Sequence, residues 1–112
     1  MKKKNRVLKY QEFQEILNNK NFINGNVFAV YYKKSDLNFE RYGLLVTKKN
    51  GIAVIRNKIK RQVRMMIQNI TDYSLSLNFI IVVKRNYDIG KYKENEQELI
   101  DIISSIRSSN EN

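Results

Sequence analysis

No cysteine, no histidine and no proline occur in the chain. The first absence excludes disulfides and thiolate chemistry. The second removes the usual proton shuttle and the imidazole metal ligand, so a protein-based active site is not expected. Without proline, and with only 4 glycines, long disordered linkers are not expected either. Long apolar runs are missing near the start, where Val7 and Leu8 give way to Lys9, Tyr10 and Gln11. That leaves no h-region and no spanning segment, and the expectation is a cytoplasmic protein away from membranes. There is no Walker-type loop and no G-x-G-x-x-G. Asp36, Glu40, Asp72 and Asp88 fall in loop-like stretches without metal-ligand spacing, and Glu94, Glu96 and Glu98 read as a solvated helix face.

What the chain has in excess is positive charge, +10 over 112 residues. Residues 1–64 carry 16 Lys/Arg against 4 Asp/Glu, net +12, while residues 65–112 carry 5 against 7, net −2. The basic surface therefore belongs to the first half, which fits a nucleic-acid or anionic-membrane partner. A hydrophobic content of 42% supports one globular domain with a single core. We divide the chain into a basic flexible arm at 1–9, a domain at 10–107 and a frayed tail at 108–112. The protein by itself is expected to be a monomer.

The stretch from Lys48 to Arg64 is the most informative. At about 100° per residue, Ile59, Val63, Met66, Ile67 and Ile70 share one helical arc, and Arg56, Lys60, Arg61 and Arg64 fan out beside it. Like charges four residues apart cost the helix a few tenths of a kcal/mol each, roughly, and a polyanion would relieve that repulsion. Gly51 suits a positive-φ turn leading into the helix. Asn57 can either cap the helix or stand on the cationic face and donate to a phosphate or base. The bland alternative for any cationic helix face is that it is merely solvated.

Elsewhere Phe13, Ile16 and Leu17 mark a short amphipathic helix over Tyr10 to Asn19. Phe22-Ile23 adds a brief strand. Asn26 to Lys34 reads as a strand with Phe28, Val30 and Tyr32 on one side and Val27, Ala29 and Tyr31 on the other. Arg41 to Thr47 follows so closely that an antiparallel arrangement with the preceding strand is expected. Thr71 to Ser76 connects to Asn78–Val83, an interior strand with both faces covered. A final helix over Tyr92 to Arg107 turns Leu99, Ile102, Ile103 and Ile106 to the core and Glu94, Glu96, Glu98 and Asp101 to water.

The run G-x-A-V-x-R-N-x-x-K-R, present as Gly51, Ala53, Val54, Arg56, Asn57, Lys60 and Arg61, resembles the signature of the bacterial ribonuclease P protein subunit family. The similarity extends from K-K-N-R near the start, through Phe13 and Tyr31, to the last helix. Lys58 departs from it, standing where the family usually has Arg, which keeps charge and loses bidentate geometry. The resemblance implies an α/β (α+β) single-domain two-layer sandwich in the order α-β-β-β-α-β-α, with a central mixed sheet. It also implies a left-handed strand–helix–strand crossover, where general experience favours a right-handed one. The implied partners are the ribonuclease P catalytic RNA and precursor tRNA, with no membrane. The implied activity is endonucleolytic removal of the 5′ leader, performed by the RNA with its own Mg²⁺; the protein is expected to bind no metal alone.

Two surfaces follow. The first, Lys48, Lys49, Arg56, Asn57, Lys58, Lys60, Arg61 and Arg64, suits structured RNA, whose phosphates and 2′-hydroxyls are read by shape. If about five phosphates are neutralised, log affinity should fall with log salt at a slope near −4. The basic arm, Lys2, Lys3, Lys4 and Arg6, would add phosphate contacts that order only on RNA; its bland reading is a solubilising tail. The second surface is a groove between the first helix and the sheet, made of Phe13, Leu17, Ala29, Tyr31 and Leu45. The resemblance assigns it to the single-stranded leader, since aromatic floors beside cationic walls hold single strands. Leu17 replaces a frequent aromatic and Leu45 a small hydroxylated residue, which makes this groove more aliphatic. A ribosomal or RNA-chaperone module using the basic helix alone is the competing reading.

Overall fold

The computed structural model describes residues 9–37, 39–70 and 76–110. The expected arm cations Lys2, Lys3, Lys4 and Arg6, the connection at 71–75 and residues 111–112 lie outside them. The elements run α1 (Tyr10–Asn18), β1 (Phe22–Asn24), β2 (Phe28–Lys34), β3 (Arg41–Leu45), a 3-10 turn (Lys48–Asn50), α2 (Ala53–Ile70), β4 (Leu77–Val83) and α3 (Tyr92–Asn110). This is the expected α-β-β-β-α-β-α order, and α3 runs three residues past its expected end.

The four strands form one mixed sheet in the order β1-β2-β4-β3. β2 pairs antiparallel with both β1 and β4, and β3 pairs parallel with β4. β2 and β3 therefore run in opposite directions, as their short connection suggested, but they are not neighbours, because β4 lies between them. The connection needs to span only two strand spacings, about 10 Å. β4 takes the centre because it is the strand that can be apolar on both faces: Phe79 and Ile81 point one way, Ile80 the other, and all three are fully buried.

The inner face carries the core. Phe28, Val30, Tyr42, Phe79 and Ile81 meet Ile59, Val63, Met66 and Ile67 of α2 and Leu99, Ile102, Ile103 and Ile106 of α3. Burying an aliphatic side chain of this size contributes roughly 1.5–3 kcal/mol relative to leaving it exposed, so this apolar stripe fixes how α2 is rotated. Val27, expected on the Ala29 face, joins the core cluster instead, just ahead of the strand proper. α1 lies on the outer face, where Ile16 is buried. A Cβ on Gly43 would come within 2.8 Å of the Phe13 ring and 2.5 Å of Ile80 Cδ1, so the absence of a side chain lets α1 approach β3.

Polar groups tie the layers together. Glu98, expected in water, is half-buried and its Oε2 accepts from the backbone N–H groups of Val27 (2.9 Å) and Phe28 (3.0 Å). Glu40, at the end of the expected polar turn, is fully buried. Arg107 donates to both of its carboxylate oxygens at 2.9 and 2.7 Å, and Tyr42 Oη donates to it at 2.6 Å. Arg107 Nη2 also donates to the Ile70 carbonyl at 2.6 Å, satisfying an end group of α2.

Candidate nucleic-acid interface

The entry to α2 is held by its own turn chemistry. Thr47 Oγ1 accepts from Lys49 N, Asn50 Oδ1 accepts from Thr47 N at 3.1 Å, and buried Asn50 donates through Nδ2 to the Lys84 carbonyl at 2.9 Å. Gly51 then takes φ 116°, the left-handed region its sequence position suggested. The result presents Lys48 and Lys49 outward immediately before the helix.

On α2 the apolar stripe points to the sheet and leaves Asn57, Lys58, Arg61 and Arg64 exposed, with Arg56 and Lys60 half-buried on its margin. Asn57, Lys60, Arg61 and Arg64 line one shallow hollow with Met65 and Gln68. Asn57 sits inside the helix and not at its cap, so of its two readings the exposed cationic face is the one it occupies. Lys58, one residue on, is exposed but does not line that hollow. Among the described residues, none of Lys48, Lys49, Arg56, Lys58, Lys60, Arg61 and Arg64 enters an ion pair, and Arg56 Nε is buried with no hydrogen-bond partner. Among the described residues their charge is uncompensated, which leaves it available to an anion.

The outer face of the sheet is built in rows, because residues paired across strands share a face. One row is Phe22, Tyr31, Ile80 and Gly43, with Phe13 of α1 resting on Gly43. The next is Asn24, Ala29, Val82 and Leu45. Phe13, Leu17, Tyr31 and Leu45 are half-buried and Ala29 is buried, so the five expected groove residues do fall on one side of the sheet beside α1. Beyond Val82 this surface opens into a hollow of about 580 Å³ lined by Thr47, Lys48, Lys49, Val83, Lys84 and Arg85. The aromatic groove and the cationic turn are thus continuous.

The other end of the outer face is electrically different. A third row, Lys33, Asn78 and Arg41, lies under the start of α1. There Arg41 pairs with Glu12 and donates through Nε to Asn78 Oδ1 at 3.1 Å, and Lys33 lies 3.5 Å from Glu15. The hydrogen bond from Arg41 holds the Glu12 carboxyl below its ordinary value. Free cations thus crowd the Lys48 end. Sequence reasoning missed Phe22, Val82 and Arg85 here. Strand register brings Phe22 and Val82 to this face and the turn after β4 brings Arg85, and the one available signal was the alternation of Phe22 with Ile23.

Among the described residues no group of three or more carboxylate, His or Cys side chains could hold a metal ion, and no helix is long and apolar enough to cross a membrane.

The family model described as Ribonuclease P matches residues 1–107. The ribonuclease P protein component of Mycoplasma mycoides subsp. mycoides is 42% identical over 109 residues, spanning 96% of this chain and 100% of the relative. That of Streptococcus gordonii is 33% identical, spanning 92% of this chain and 87% of its own. Among solved structures, a Staphylococcus aureus RNase P protein mutant with defective mRNA degradation activity superposes with a TM-score of 0.85 at 25% identity, covering 94% of this chain and 90% of the other. The RNase P protein from Thermotoga maritima, 20% identical with a TM-score of 0.71 over 86% of this chain and 92% of that one, shares the fold.

Proposed function

The chain belongs to the ribonuclease P protein family, and from that premise we propose how its two surfaces divide the work. It is the protein component of ribonuclease P, a subunit of the endoribonuclease holoenzyme that processes precursor tRNA at the 5′ end. In our reading the stripe of Asn57, Lys60, Arg61 and Arg64, with Arg56 at its margin, docks the catalytic RNA. The groove of Phe13, Leu17, Ala29, Tyr31 and Leu45 holds the single-stranded 5′ leader. Lys48, Lys49 and Arg85, where the two surfaces meet, contact phosphates of the strand between them.

The observation that carries this reading is the uncompensated charge. Seven Lys/Arg side chains of the turn and α2 make no ion pair among the described residues, although this chain pairs Arg41 and Arg107 with carboxylates elsewhere. Holding like charges together costs the free protein some stability, and phosphate neutralises them. Bond cleavage falls to the RNA and the Mg²⁺ it carries, which polarises the phosphate and activates water. The protein offsets phosphate repulsion and keeps the leader in register.

The test adds purified protein to its cognate RNA and precursor tRNA at low Mg²⁺. Cleavage and precursor affinity should both rise, and the gain over mature tRNA should shrink in Phe13→Ala/Tyr31→Ala. Equal losses on precursor and mature tRNA would instead favour a plain structured-RNA binder.

A further inference from the structure

We propose that Phe22 is a base-stacking residue, the outermost ring of a platform at the β1 edge of the sheet that receives an unpaired nucleobase; this rests on the leader-groove reading above. Phe22 pairs with Tyr31 across β1 and β2, and Tyr31 pairs in turn with Ile80. The Phe22 and Tyr31 rings stack at 5.0 Å between centroids and 22° between planes. β1 is the edge strand, so Phe22 stands between Tyr31 and open solvent. It covers one side of Tyr31 and offers its own far side in exchange.

Phe22 is 48% exposed and belongs to no part of the core cluster. A single exposed phenylalanine needs no explanation, but this one is held in a fixed orientation by the ring behind it. A ring immobilised beforehand loses little further freedom when a base settles on it, which is what a stacking site requires. The surroundings select the occupant. Lys20, two residues ahead of Phe22, is exposed and enters no ion pair among the described residues, whereas Lys33, two residues beyond Tyr31 on the same face of β2, is already paired with Glu15. A flat apolar ring two residues from an exposed lysine fits a base attached to a phosphate backbone. A second protein strand is a poor fit, because β1 offers only three residues for edge pairing. The leader would thus cross β1 as well as follow α1, adding a strand ring to the Phe13 and Leu17 that α1 contributes.

The experiment uses holoenzyme reconstituted from the full chain and its cognate RNA. Affinities are measured for precursors with leaders of graded length and for mature tRNA, with Phe22→Ala, Phe22→Leu and Phe22→Trp. A 2-aminopurine placed at successive leader positions reports stacking by quenching. Phe22→Ala and Phe22→Leu should each lose about 5- to 100-fold in precursor affinity and release the quenching at one leader position. Phe22→Trp should retain both, and mature tRNA should bind all variants alike. Phe22→Leu keeps an apolar cross-strand contact, so it decides the matter if Phe22→Ala fails to fold. Wild-type behaviour in Phe22→Leu would overturn the stacking role while leaving the leader groove intact. If the wild-type protein does not distinguish precursor from mature tRNA, the groove reading itself fails and this inference with it.

Discussion

Arg61 and Arg107 are the same side chain put to opposite uses. Arg61 is exposed on α2 with no carboxylate partner among the described residues, while Arg107 grips both oxygens of buried Glu40 and caps Ile70. Arg61→Ala should therefore weaken binding to the catalytic RNA by about 1–3 kcal/mol and leave the melting temperature within a degree or so, measured by filter binding and thermal unfolding. Glu40→Ala should do the reverse. It strands the Arg107 guanidinium and the Tyr42 hydroxyl, and urea unfolding should show a loss of about 3–5 kcal/mol. Sequence could find Arg61 because a motif surrounds it. It could not find Glu40, whose partner is 67 residues away and whose neighbours read as a polar turn.

Among the elements, α2 was the most legible, since its apolar stripe and its cations alternate at helical period and packing of the first orients the second. α1 was legible as a helix from its own spacing, but as a groove wall only through the family resemblance, because its position depends on Gly43. Gly43→Ala would drive a Cβ to 2.8 Å from the Phe13 ring, and that ring cannot fold away as a flexible chain end would. We expect Gly43→Ala to cost about 1–3 kcal/mol in stability and to lower precursor affinity more than mature-tRNA affinity. Unfolding curves and paired binding assays check both. The same element carries an acid-sensitive tie. Glu12 has its folded pKa depressed by Arg41, so the stability this contributes is full above the ordinary value of 4.5 and disappears as pH falls through the lowered one. At neutral pH the groove wall is therefore fully anchored.

For the molecule as a whole, the inner core sets an alkaline limit. Burial, with Glu40 beside it, pushes the Tyr42 phenol well above its ordinary value, and burial pushes Tyr87 up to about 12. Folded pKa values raised above unfolded ones give stability that is intact below about pH 10 and lost as pH rises through the folded values, because only the unfolded chain releases those protons. Urea unfolding from about pH 8 to about pH 11.5 should show stability falling above pH 10, and Tyr42→Phe should make the fall shallower.

The sequence by itself determined which segments are helices and strands, that the positive charge lies in the first half, and the family through the Gly51–Arg61 run. These are local or additive properties, set by periodicity, composition and spacing along the chain. The tertiary structure alone decided that β4 separates β2 from β3, that Glu98 and Glu40 turn inward, and that Phe22 stacks on Tyr31. Each of these depends on strand register or on a contact between distant residues, where burial and hydrogen bonding across the fold outweigh local preference.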